Sequence, residues 1–167
     1  MTAHTSKAPG KIILFGEHAV VYGQPALAVP VHQVQATAIT EDGPPVIYAE
    51  DLNLTLSPIE AASHALIITA RLVLDRFGEP EPDAHVTIRS TIPVASGLGS
   101  GAAVSAALAR SLSGYLGHTL APSELSSLVY EVEKLHHGTP SGIDNTVVSF
   151  EKPVYFVRGA TIKLLDI

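Results

Sequence analysis

Pro93-Val94-Ala95-Ser96-Gly97-Leu98-Gly99-Ser100-Gly101-Ala102-Ala103 is the stretch on which the fold turns. Before it, Val86, Ile88 and Ile92 alternate with Thr87, Arg89 and Thr91, the period of a strand with one buried face. After it comes an Ala-rich run to Leu116, with Val104, Leu108 and Leu112 in one row and Gly117 behind. That pattern predicts a helix that packs closely, because alanines let neighbouring backbones approach. The stretch therefore joins a strand to a helix start. Its glycines let the backbone come near a ligand without Cβ interference, and the free N–H groups at the positive end of the helix dipole favour a phosphate. A Ser hydroxyl there suits a phosphate oxygen or Mg²⁺. A Gly-rich turn that serves only packing has the same composition, and the Lys of the Walker P-loop is absent.

Upstream, apolar and β-branched residues dominate Lys11–Phe15, Ala26–Val31 and Val34–Ile39, broken by Gly16, Gly23 and Pro30, and these read as short strands. Glu41-Asp42-Gly43-Pro44-Pro45 interrupts the pattern as a hairpin or excursion before Val46–Tyr48 resumes it. Ser57-Pro58-Ile59-Glu60 has the form of a capping box, followed by Leu66, Ala70, Val73 and Phe77 at helical spacing and Gly78 as a stop. Downstream, a helix begins near Pro122 and ends at His136-His137-Gly138. A short helix is expected over Asp144–Phe150, then strands at Val154–Val157 and Thr161–Leu165. Strands come first and helices later, so the class is α+β rather than alternating parallel α/β.

The chain of 167 residues is 46% hydrophobic and 16% charged, with no repeat or linker, and reads as one globular domain over residues 1–167. It has no cysteine, which excludes thiol nucleophiles, iron–sulfur clusters and Cys zinc sites and fits a reducing cytoplasm. Sixteen acids against ten bases give a net charge of -6 with no basic stripe, which argues against nucleic-acid binding. No apolar run approaches the roughly 20 residues that cross a bilayer, and Ile12–Phe15 runs straight into Glu17 and His18, so neither a membrane span nor a secretory segment is expected.

Two further segments carry chemistry. Glu133 to Asn145, reading Glu-Lys-Leu-His-His-Gly-Thr-Pro-Ser-Gly-Ile-Asp-Asn, sets two carboxylates around a Pro-stiffened loop. Asp144 there suits a proton acceptor for a substrate alcohol and Glu133 a metal ligand, or else Asp144 is a helix N-cap and Glu133 an exposed helix residue. His136 and His137 lack the i, i+4 spacing of a helical zinc pair. Ala8 to Gly23 places Lys11 at the start of an apolar strand with Glu17 and His18 beyond it, at a pocket mouth or simply on the surface.

Together, Pro93-x-x-x-Gly97-Leu98-Gly99-Ser100, Lys11 to Gly23 and His137-Gly138-Thr139-Pro140-Ser141-Gly142-Ile143-Asp144-Asn145 resemble the GHMP kinase superfamily and, within it, the mevalonate kinases. The resemblance implies a two-layer N-terminal domain, a mixed sheet backed by helices, and ATP-dependent phosphorylation of the primary alcohol of mevalonate in isoprenoid precursor synthesis. It makes Asp144 the base with Lys11 beside it, and wraps the ATP triphosphate in Pro93, Ser96, Gly97, Leu98, Gly99, Ser100, Gly101 and Ala102. Glu133 falls at the Mg²⁺ position with Ser100, while Glu17, His18 and His137 join Asp144 at the mevalonate end. Where the family has two successive serines this chain has Ser100-Gly101. The resemblance also implies a cytoplasmic enzyme, a possible homodimer, and a C-terminal half that packs on this domain. Another small-alcohol kinase of the superfamily, or a catalytically silent nucleotide-binding or interaction domain, are the competing functions.

Overall fold

A computed structural model of the chain describes residues 3–57 and 63–166, with every side chain among them but that of His136. The fold is built on one long antiparallel pair. Strand β1 (His4–Phe15) and strand β2 (Ala26–Asp42) run against each other over almost their full length, joined through a 3-10 turn at Ala19–Tyr22. On its other edge β2 serves two partners. Its second half pairs antiparallel with β5 (Ala84–Ser90), from Ala36 to Asp42, and its first residues pair with β6 (Val154–Phe156). Strand β3 (Val46–Ala49) lies parallel to β5 and antiparallel to β4 (Leu54–Leu56), and β7 (Lys163–Leu164) pairs with β6. The result is a seven-stranded mixed sheet.

Among the described residues four helices complete the domain: α1 (Ala65–Phe77), α2 (Ser100–Tyr115), α3 (Pro122–His137) and α4 (Ile143–Phe150). Helices α2 and α4 lie on β1 and β2, while α1 and α3 pack against α2. Small residues explain the closeness of α2. Ala102, Ala103, Ala106, Ala107 and Ala109 are buried in the same core cluster as Ala8, Ala36 and Ala38 of the sheet. At one point this contact is polar and satisfied: the Ser111 hydroxyl donates to the His4 carbonyl at 2.6 Å and lies 2.8 Å from Thr40 Oγ1. Burying a hydroxyl pair here costs little because each has its partner.

A second, smaller core gathers Val20, Ala26, Ala28, Ile143, Val147, Val154 and Phe156. It sits where the 3-10 turn, the start of β2, α4 and β6 converge, and it underlies part of the site.

One sequence expectation is corrected, one is decided between its two alternatives, and one lies largely outside the described residues. The two strands expected on either side of Pro30 are one strand, because Pro30 falls where β2 pairs only with β1; between Ala28 and Ala36 it has no ladder partner on its other edge, so a missing N–H is tolerated. The register slips there, from Gly10 opposite Val31 to Pro9 opposite Gln35, as a bulge. Residues 41–45 form an excursion rather than a hairpin, since β3 joins β5 instead of β2. Of the capping box expected at Ser57–Glu60, residues 58–60 lie outside the described residues; the described helix starts at Ala65, with His64 Nδ1 accepting from the Leu66 amide.

Candidate active site

The Gly-rich stretch leaves β5 and enters α2 as expected, and its conformation is unusual. Ala95, Gly97 and Gly99 have φ of 57°, 76° and 70°, while Ser96 and Leu98 between them do not take positive φ. Such alternation turns successive N–H groups toward one side and makes a concavity that suits an anion. Gly99 is the N-cap of α2, so Ser100 opens a helix of 16 residues with no acid in its first turn. Two bonds fix the loop: Ser96 Oγ donates to the Pro93 carbonyl at 2.7 Å, and the Lys11 amide donates to the Leu98 carbonyl at 2.9 Å. A Cβ on Gly97 would meet nothing within 4 Å, so that residue faces open space.

Lys11 and Asp144 meet behind this loop. Their Nζ and Oδ1 lie 3.0 Å apart, with the lysine side chain 6% exposed and the aspartate 29%. An ammonium so far withdrawn from water needs a counter-charge, and Asp144 supplies it. The fit is tight: a Cβ on Gly99 would stand 2.9 Å from Lys11 Cγ and 3.6 Å from Asp144 Oδ2. Asp144 is not an N-cap, since Gly142 holds that place at φ 91° and Asp144 is in the first turn of α4. Its neighbour Asn145 is buried and donates to the Ser126 carbonyl and hydroxyl at 3.1 and 2.9 Å, which ties α4 to α3 and fixes the direction of Asp144. From sequence alone Asn145 had no role of its own; an amide directly after an acid at the start of a short helix was the available signal.

Two clefts meet at this pair. One, of 650 Å³, is lined by the loop from Val94 to Ala102 with Lys11, Glu133, His137 and Asp144. The other, of 250 Å³, is lined by Glu17, Val21, Pro140, Ser141 and again Glu133, His137 and Asp144. Pro93 lies outside both and faces an adjoining groove, and His18 is exposed before the 3-10 turn and lines neither. Glu133 is buried, at 8% exposure, rather than on the solvent face of α3, and His137 Nε2 stands 3.8 Å from its carboxylate.

The donors fit a hard divalent cation. Glu133 offers a carboxylate and Ser100 a hydroxyl to the same cleft, and a Cβ on Gly101 would stand 3.4 Å from Glu133 Oε1, so the glycine leaves that oxygen uncovered. Mg²⁺ binds by one or two carboxylates, phosphate oxygens and several waters, so this donor set suits it without a full protein cage. Among the described residues no group of three or more acids and histidines converges as a metal site.

Residues 64–152 match the family of the GHMP kinases N terminal domain. The chain belongs to the GHMP kinases. Mevalonate kinase from Thermococcus sibiricus is 35% identical over 93% of this chain and 52% of its own length. The mevalonate kinase of Methanococcus jannaschii superimposes with a TM-score of 0.89 at 24% identity, covering 99% of this chain and 56% of that one. The L. major mevalonate kinase, solved in complex with R-mevalonate, gives 0.75 at 26% identity over 98% of this chain and 52% of that one. This GHMP kinase domain thus spans about half the length of the curated relatives it matches. Among its described residues no helix is long and apolar enough to cross a membrane.

Proposed function

We propose that this domain carries the ATP-binding loop and the base of a mevalonate kinase, transferring the γ-phosphoryl group of ATP to the primary hydroxyl of mevalonate. The observation that carries the reading is the Lys11–Asp144 pair at the junction of the two clefts, one walled by the Gly-rich loop and the other by polar side chains. The resemblance of the chain to mevalonate kinases over nine-tenths of its length supports mevalonate as the alcohol.

The loop from Ser96 to Ala102 and the start of α2 hold the phosphates through backbone N–H groups. Asp144 accepts the hydroxyl proton as that oxygen attacks the γ-phosphorus and ADP departs. Lys11 pairs with Asp144 and stabilises negative charge on the attacking oxygen. Glu133 and Ser100 hold Mg²⁺, which neutralises phosphate charge when bound. Glu17 and His137 orient the carboxylate-bearing end of mevalonate, with His18 at the rim. The same reading puts the reaction in the cytoplasm and gives the complete enzyme a C-terminal half packed on this domain, as a homodimer.

The test is ADP release by the full-length protein that carries this domain, supplied with ATP, Mg²⁺ and either mevalonate or other small alcohols. Mevalonate-dependent release is expected. Turnover of a different alcohol alone would make it another GHMP kinase, and ATP binding with no turnover of any alcohol would make it a binding domain. Residues 1–167 alone are expected to release little ADP, because phosphoryl transfer depends on holding donor and acceptor in line and a missing wall forfeits that positioning.

A further inference from the structure

Arg158 lies beyond the end of β6, two residues past Phe156, which is part of the small core beneath the 250 Å³ cleft. Its side chain reaches back over that core. Nη1 approaches the Val21 carbonyl and Nη2 the Pro140 carbonyl, each at 3.4 Å. Val21 and Pro140 belong to opposite walls of the cleft, the 3-10 turn after Glu17 and the loop between α3 and α4. Beneath the cleft the two walls share the small core through Val20 and Ile143, whereas their rims lie outside it. Val21 and Tyr22 are 52% and 83% exposed, and residues 138–141 lie between helices with Thr139, Pro140 and Ser141 in no regular element. Segments with few buried contacts open at low cost unless something ties them.

We propose that Arg158 is a positioning residue, a tie between the two walls that sets the width of the acceptor cleft for a small carboxylate-bearing alcohol; the identity of that alcohol rests on the mevalonate kinase reading. The guanidinium is suited to this because its nitrogens diverge from a rigid plane and serve two carbonyls at once. A lysine carries the same charge but brings one nitrogen to one place. The tie acts on geometry, so Lys does not replace it.

Amide hydrogen exchange on the full-length protein that carries this domain tests the tie without reference to activity. In Arg158→Ala and in Arg158→Lys, the hydrogen-bonded amides of Val20, Gly23 and Gln24 on one wall and Thr139 on the other are expected to exchange about five- to tenfold faster, as loss of one or two hydrogen bonds implies. The Ala103 amide, bonded to Gly99 at the start of α2, keeps its rate. In the full-length protein both variants raise KM for the alcohol several-fold with kcat and the KM for ATP within about twofold. Unchanged exchange on either wall, or parental behaviour of Arg158→Lys, overturns the tie. General acceleration that includes Ala103 assigns Arg158 to fold stability and overturns it as well. Loosened walls in a protein that turns over no mevalonate leave the tie standing and remove the mevalonate reading.

Discussion

The two clefts that share Asp144 are built by opposite means. The larger is made of backbone: positive φ at alternate residues, a helix N-terminus and glycines whose missing Cβ atoms leave room. The smaller is made of side chains brought from distant parts of the chain, with Glu17 from before the 3-10 turn, Glu133 and His137 from α3, and Asp144 from α4. The difference predicts what each tolerates. A backbone site resists any added Cβ yet is indifferent to many side-chain exchanges, whereas a side-chain site depends on the identity of a few groups and on whatever holds them in place.

The strongest way to break the comparison is Asp144→Asn. The amide keeps the shape but accepts no proton, so kcat in the full-length protein should fall about 10²–10⁴-fold with ATP affinity within a few-fold. Turnover within threefold of the parent would remove Asp144 from the chemistry. Next come two glycines of one loop. Gly97→Ala adds a Cβ to open space and pays only for its left-handed backbone, about 1–2 kcal/mol, so it should weaken ATP binding roughly thirtyfold at most. Gly99→Ala carries the same backbone strain and also drives a Cβ against Lys11, so it should lower kcat as well as ATP affinity. Equal losses in the two variants would mean that Gly99 serves the loop alone.

Smaller effects concern the proposed metal donors. Glu133→Gln should raise the Mg²⁺ concentration for half-maximal activity several-fold, because a carboxylate binds Mg²⁺ better than a neutral amide. Gly101→Ser places a hydroxyl beside Glu133 and should lower that concentration; if it changes nothing while Ser100→Ala raises it, Ser100 already fills the position. The smallest effect is remote from both clefts. Glu124 at the start of α3 accepts the Ala121 amide and pairs with Arg76, and these hold its carboxyl below the usual 4.5. A lowered folded value gives stability that is present above pH 4.5 and lost as pH falls through the folded value. Thermal unfolding of Glu124→Gln should therefore lie slightly below the parent near neutral pH and converge with it in acid, with both clefts unaffected.

The backbone cleft was legible in the sequence because its signals are local. Gly97, Gly99 and the Ala-rich run sit within a few residues of one another, and a strand-to-helix turn follows from their order alone. The pairing of Lys11 with Asp144 was not visible in spacing, since 133 positions separate them; it came from resemblance, and the 3.0 Å contact supports it. Pro30 misled because a proline breaks a strand only where its N–H is needed on both sides of the question, and the pairing of β2 decides that from afar. Glu133 had the look of an exposed helix residue because nothing in α3 itself reveals that Gly101 faces it. Arg158 carried no signal at all, as both of its partners are backbone carbonyls and any residue supplies those.

Lys11 makes two attachments from one residue. Its amide is bonded to the Leu98 carbonyl of the phosphate loop, and its ammonium is paired with Asp144. On the proposed function, a single lysine is therefore the ruler between the two halves of the reaction, with its amide at one and its ammonium at the other. On that reading a displacement of the loop is passed through the lysine to its carboxylate partner, which couples donor and acceptor. Tolerance for differently sized acceptors must then arise on the far wall of the smaller cleft, which leaves the ruler unchanged while the chamber beyond it is free to diverge.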